Sequence, residues 1–345
     1  MGFLIPERWT RGGLVLSKPA GLSNSQVVGD PCVVWDPDIQ QWRMFLFYCP
    51  PGHAHAVCIG KDANDVAPGC WRLEGPIRFT NSDGYGSAAT HKPYIVQDAE
   101  HPGRAALVDG RYWMVSVGQH LGRKYIHRAY ADKLAGPWTF EPGPLIAPGD
   151  GDAWDAKHAD AVTGIYFPRR EQFVYFYMGY PQHKQPRHLS PMGNAQGVAV
   201  QRIGETGATK IGEMFSPSEV PGHWASGWVG GLQVVPGREH RWIGLLNASP
   251  TPPNPMPDAD ITCEEPAPSL GGFAYCDEEF PVTGWRWRDQ PIEHVGDIPA
   301  DAVKTGEGVN LWRHYLLQLP NGTTALFYNS GPYGNEQLFV KYARV

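Results

Sequence analysis

The 345-residue chain has no run of lysines or arginines, no apolar stretch long enough to span a bilayer, and no segment with helical periodicity over three turns. Each gap removes a class. Without a basic stripe to neutralise phosphates, and with a formal charge of −6, the composition argues against general nucleic-acid binding. No membrane-spanning segment is expected, and the start, MGFLIPERWT, lacks the basic and long apolar regions of a signal peptide, so a cytoplasmic location is expected. The six cysteines (Cys32, Cys49, Cys58, Cys70, Cys263 and Cys276) show neither a CxxC pair nor metal-finger spacing, and are read as reduced, buried small hydrophobes. His53 and His55 share a strand face but lack an identifiable third zinc ligand, so they are read as surface or core histidines. HExxH, Walker, GxSxG and dinucleotide fingerprints are missing too, which argues against metalloprotease, NTPase, serine hydrolase and Rossmann readings. Two sequons, at Asn247 and Asn321, carry little weight without a secretion signal.

What is abundant is glycine and proline, 41 and 33 residues, set among 42% hydrophobic and 12% aromatic residues, which implies many turns around an ample core. They punctuate a unit that recurs about five times: a polar-led apolar run, a turn of proline, glycine or charged residues, then an aromatic-rich strand. Asp30-Pro31-Cys32-Val33-Val34 leads through Asp36-Pro37-Asp38 into Trp42–Tyr48, and Asp160-Ala161-Val162 leads through Pro168-Arg169-Arg170 into Phe173–Tyr177. The units open near Gly29, His91, His158, Gly227 and Asn310, and their apolar runs of four to eight residues fit antiparallel strands. One such sheet cannot bury its apolar face alone, so the repeat predicts stacked or radially arranged sheets. The stretch from Phe3 to Leu16 is expected to add a strand to the last unit and close the ring, removing the exposed edges.

Asp30-Pro31 at the head of the first unit, Asp160 at the head of the third, and the unit ending Asp132-Lys133-Leu134-Ala135-Gly136-Pro137-Trp138 resemble the five-bladed β-propeller glycoside hydrolases, the superfamily of arabinanases, β-xylosidases and invertases (glycoside hydrolase family 43 type). The resemblance implies an all-β fold, a five-bladed propeller over residues 1–345 as a single domain, and catalysis by carboxylates that converge on a central cavity. By that resemblance Asp30 fills the role of general base or nucleophile and Asp160 that of the Asp that tunes and positions. The acid of the arabinanase-like members is a Glu in blade four, where this chain reads Ser226-Gly227-Trp228-Val229-Gly230-Gly231-Leu232 without a carboxylate. Glu307, heading the fifth blade, is therefore the expected acid, with His223 as a further candidate because some relatives acting on algal sugars use a histidine.

Glycoside cleavage needs one protonated carboxyl beside the leaving oxygen and another that is ionised, about 6.5–9.5 Å apart in the inverting case. The bland alternatives are a strand-entry turn for Asp30 and a solvated loop for Glu307. Asp150–Asp160 gathers four aspartates, a lysine and a histidine; Asp155 and His158 are read as substrate-binding, and the segment as a possible structural site for Ca²⁺ or a similar hard cation. No cofactor is expected to be required. Lys92, where blade one has Asp30, would favour an anionic substrate group or pair with Asp30, with His91 beside it. Trp228, Trp224, Trp154 and Tyr85 are candidate sugar-stacking faces. The expected function is hydrolysis of a small glycoside or oligosaccharide, with a small carbohydrate as partner and neither nucleic acid nor membrane. The rivals are a phosphorylase, lyase or transferase on the same scaffold and a non-catalytic sugar- or protein-binding propeller.

Overall fold

The computed structural model describes residues 2–18, 27–49, 51–87, 90–183, 193–250, 269–292, 312–331 and 336–344. Their strands form five antiparallel sheets, each meandering outward from an inner strand. Blade one comprises Val28–Asp36, Gln41–Tyr48, Ala54–Cys58 and Trp71–Gly75. Blade two comprises His91–Ile95, Arg111–His120, Arg123–Ala131 and Thr139–Phe140, with the short Leu107–Val108 pairing against its second strand. Blade three runs through His158–Phe167, Gln172–Tyr180, Ala195–Arg202 and Thr209–Phe215, and Gln97–Asp98 joins its inner edge in parallel. Blade four runs through Trp228–Pro236, Trp242–Ser249, Leu270–Cys276 and Arg286–Pro291. Blade five contains Trp312–Gln318, Thr323–Ser330 and Gln337–Arg344, and its outermost strand is Thr10–Leu16 from the beginning of the chain. The protein is a five-bladed β-propeller closed by its N-terminal strand.

The second strand of each blade is buried on both faces, which is why these strands read as continuous aromatic and aliphatic runs rather than alternating ones. In blade three Phe173, Val174, Tyr175, Phe176 and Tyr177 are all at most 2% exposed. Trp138, from the Gly-Pro-Trp closure, is fully buried with its ring edge-on to Phe45 of blade one, and its backbone bonds to Arg78 and Thr80 tie the first two blades together. Cys32, Cys58 and Cys276 are buried, Cys49 and Cys70 partly so, and none of these five is in a disulfide.

One irregularity repeats around the ring. In every blade the inner strand slips register against the second strand, between Gly29 and Cys32, His91 and Tyr94, Asp160 and Thr163, Gly230 and Gln233, and Trp312 and Tyr315. The first residue inside each slip is left-handed: Asp30 (φ 51°), Lys92 (54°), Ala161 (51°), Gly231 (68°) and Arg313 (43°). Such a bulge re-aims side chains at the mouth of a sheet. Four of the five positions carry a side chain where glycine would be unstrained, a conformation that costs about 1–2 kcal/mol per residue. Strain of that kind gathers at functional sites.

Candidate active site

The bulges bring charged side chains from four blades to one end of the propeller axis. Asp160, fully buried, accepts hydrogen bonds on Oδ1 from Lys92 Nζ of blade two (2.9 Å) and from the backbone N–H of Ala161 (2.6 Å), and on Oδ2 from Lys124 Nζ (2.6 Å). The two ammonium groups outweigh burial and hold its carboxyl well below the usual carboxylate range. Arg313 of blade five donates from Nη1 to Ala161 O (2.7 Å) and from Nη2 to Val162 O (3.3 Å), while its Nε stands 3.9 Å from Asp30 Oδ2. One guanidinium therefore joins the Asp30 head of blade one to the Asp160 head of blade three.

Asp30 is set by a second device. Asn329, on the second strand of blade five, accepts the Asp30 backbone N–H on Oδ1 (2.7 Å) and donates from Nδ2 to Asp30 Oδ1 (3.0 Å). The approach is close enough that a Cβ on Gly29 would lie 2.2 Å from Asn329 Cγ, so glycine is required there. Asn247, at the matching place in blade four, accepts the backbone N–H of Arg313 (2.6 Å) and bonds His314 Nδ1 (3.0 Å). A strand-end asparagine thus fixes the bulge of the next blade twice around the ring. Asn247 is 2% exposed, which removes it as a glycosylation acceptor in the folded chain.

The remaining predicted residues divide by position. His91 sits beside Lys92 against Phe47, and burial with the nearby Lys92, Lys124 and Arg313 charges lowers its pKa to about 3, so it is neutral. His158 accepts the Lys124 backbone N–H on Nδ1 (3.2 Å) beside Tyr180, and burial with the Lys124 charge brings it down to about 4. Asp155 does not join the axial cluster. It is buried, accepting Tyr177 Oη (2.9 Å) and Lys210 Nζ (2.6 Å), and so ties the loop before blade three to that blade's outermost strand. His223 is also peripheral: its ring faces Trp224 and Trp287, the latter on the outermost strand of blade four. Trp228 is 3% exposed and packs with Ala161 and Met178, a blade-packing residue rather than an open stacking face. Trp224 is likewise buried, its ring over Gly272, whereas Tyr85 is 45% exposed near His120 and Tyr125. Glu307 lies outside the described residues. Among the described residues no group of three or more His, Cys, Asp or Glu side chains is arranged to hold a metal ion.

The loops into blades three and four are the same structure repeated. Gly151–Val162 and Pro221–Leu232 share one pattern of turns and strand, with Trp154 matching Trp224 and Asp160 matching Gly230. A Cβ at Gly230 would lie 2.3 Å from Met178 Sδ, so the blade-four head is filled from blade three and has no space for a carboxylate. Lys124, Arg313, Asn247 and Asn329 are the site residues that motif reading passes over. Their signal was faint: Lys124 follows a Leu-Gly-Arg turn, and the two asparagines share the ends of the second strands in blades four and five.

The sequence matches no family profile and no curated protein. Solved structures do match over nearly its whole length. A thermostable family-43 glycoside hydrolase superposes with a TM-score of 0.62 at 13% identity, covering 95% of this chain and 92% of its own. This chain has the fold of glycoside-hydrolase propellers. The endo-arabinase from Bacteroides thetaiotaomicron VPI-5482 gives a TM-score of 0.59 at 13% identity over 97% of this chain and 98% of its own. A member of the GH130 family of mannoside phosphorylases, which contains glycoside hydrolases that target beta-1,2 mannosidic linkages in Candida mannan, gives 0.64 at 12% identity over 100% and 97%. At these identities the likeness concerns the fold alone.

Proposed function

We propose that the protein is a glycoside hydrolase acting on a small glycoside or short oligosaccharide in the axial mouth, with Asp30 as the base. The observation that carries this reading is the pose of Asp30: a carboxylate on a strained backbone, locked by Asn329 through Oδ1, its Oδ2 accepting no direct hydrogen bond among the described residues. That oxygen can take a proton from water as the water attacks the sugar, or attack carbon itself. Asp160 cannot take that part, because three donors occupy its oxygens and its proton affinity is low. Its role is to position Lys92 and Lys124. The leaving oxygen needs a proton donor, and Glu307, a few residues ahead of the blade-five head, is assigned that role.

A panel of aryl glycosides and oligosaccharides, followed by the stereochemistry of the product, tests the proposal. Asp30→Asn should lower turnover by at least about 10²-fold, the lower end for general acid–base catalysis, while leaving ligand binding intact. Full turnover in that variant would remove Asp30 as the base. Binding without turnover of any glycoside by the wild-type protein would favour the sugar-binding reading instead.

A further inference from the structure

What a ligand meets at the mouth is set by which charges reach the surface. The Lys92 and Lys124 side chains are 18% and 24% exposed and that of Arg313 12%, against 5% for Asp30 and 0% for Asp160. The carboxylates lie beneath and the cations above. Asp160 supplies one negative charge to two ammonium groups, so with Asp30 and Arg313 counted the described cluster keeps one positive charge in excess. Blade two adds Arg123, at the start of its third strand, which donates to Gly149 O (2.6 Å) and Ala156 O (2.7 Å) in the loop before blade three. Burial does most to keep His91 and His158 neutral, and the cations add to it against the opposing Asp160 charge: Lys92, Lys124 and Arg313 for the first, Lys124, Lys157 and Arg123 for the second. All this occurs on a chain whose overall charge is −6.

Excess charge in a recess partly stripped of water is costly until an opposite charge shares it. A sugar hydroxyl can bond to an ammonium group but cannot neutralise it. A carboxylate or phosphate oxygen does both, with short charge-assisted bonds.

We propose that the axial mouth binds its ligand through an anionic group, carboxylate or phosphate, held between Lys92 and Lys124 with Arg313 on the blade-five side. This rests on the glycosidase reading for the sugar part and makes the substrate an acidic sugar or a glycoside cleaved in the presence of a bound phosphate. The anion also explains why blade two offers lysine where blade one offers aspartate.

The test is calorimetric titration of the full chain with galacturonate, glucuronate and inorganic phosphate, against galactose, glucose and chloride at matched ionic strength. At least one of the three anions should bind at least about ten-fold more tightly than its neutral or chloride counterpart, the effect of one charge-assisted hydrogen bond, and should weaken as salt rises. A uronate alone identifies a carboxylate-bearing sugar, and phosphate alone identifies a phosphate site. Lys124→Gln should lose about ten-fold in affinity and Lys124→Arg should retain most of it, with folding checked by circular dichroism. Equal binding of acidic and neutral sugars with no saturable phosphate binding by the wild-type protein overturns the proposal, whether or not the variants fold. Anion binding retained in a folded Lys124→Gln protein does the same. The two readings fail separately: neutral aryl glycosides cleaved as fast as aryl uronides, without phosphate dependence, remove the anion site and leave the hydrolase. Anion binding with no glycoside cleaved removes the hydrolase and leaves the anion site.

Discussion

Replacing Asp160 by asparagine separates the positioning carboxylate from the reacting one. Asparagine can keep the Oδ1 contacts with Ala161 N–H and Lys92, but its amide nitrogen then faces Lys124 Nζ, donor against donor. The bond from Lys124, worth about 1.5–3 kcal/mol, is lost, the bond from Lys92 keeps its charged donor but not its charged acceptor, and two ammonium groups are left without the charge between them. Removing one partner of a buried ion pair costs about 3–5 kcal/mol. Lys92 and Lys124 are 18% and 24% exposed and can turn toward water, which places the expected loss near the lower end, about 3 kcal/mol. Asp30→Asn should cost about 1 kcal/mol or less, because Oδ1 keeps its bond from Asn329 and Arg313 Nε is 3.9 Å from Oδ2. Urea denaturation at pH 7, followed by tryptophan fluorescence, measures both. The Asp160 carboxyl titrates lower in the folded state than in the unfolded chain, so its contribution is present above pH ~4 and is lost as pH falls further. The stability gap between wild type and Asp160→Asn should therefore persist from pH 7 to about 5 and close only below ~4. An Asp160→Asn protein as stable as Asp30→Asn would refute the positioning role.

Three further outcomes are expected. Burial lowers the folded-state pKa of His91 and His314 to about 3, so between pH 6.5 and about 4 the unfolded chain takes up protons that the folded one refuses. Stability should be constant above pH ~7 and fall below it by up to about 1.4 kcal/mol per pH unit for each histidine, and a flat denaturation midpoint from pH 7.5 to 5 would contradict this. Gly29→Ala forces Asn329 off Asp30, so turnover should fall while Asn329→Ala in the same background adds little; a Gly29→Ala protein of normal activity would show that Asn329 does not set the base. Gly179→Ala puts a methyl 2.1 Å from the Trp154 ring and should destabilise by about 1–3 kcal/mol in thermal unfolding, whereas Gly143→Ala, with open space around it, should cost less through its backbone alone.

The architecture was legible because it rests on local signals. Apolar runs between proline- and glycine-rich turns mark the strands, and Phe3–Leu16 reads as a spare strand that the Thr10–Leu16 pairing confirms. The heads of blades one to three were legible for the same reason, since Asp30, His91, Lys92, His158 and Asp160 open their strands. The surroundings of Asp155 could not be read from its neighbours, because nearness in sequence is not nearness in space: a turn separates it from Asp160, and it bonds Tyr177 and Lys210 instead. Trp228 opens a strand too, but Ala161 and Met178 of blade three cover it. Lys124 and Arg313 could not be read from the chain, because their roles exist only once blades two, three and five share an axis. The empty head of blade four was visible as Gly230-Gly231, and its cause, Met178, was not.

The pairing of Thr10–Leu16 with Gln337–Arg344 has a temporal side. On the ribosome the earlier of these segments must wait until the later has been made, so sealing of the circle follows synthesis of the fifth blade. Four blades can mature in order of synthesis while the fifth stays ajar. A permuted gene that opens between two other blades and links Gln337–Arg344 directly to Thr10–Leu16 would make that seam a local hairpin, and the slow, length-spanning step would move elsewhere in the circle.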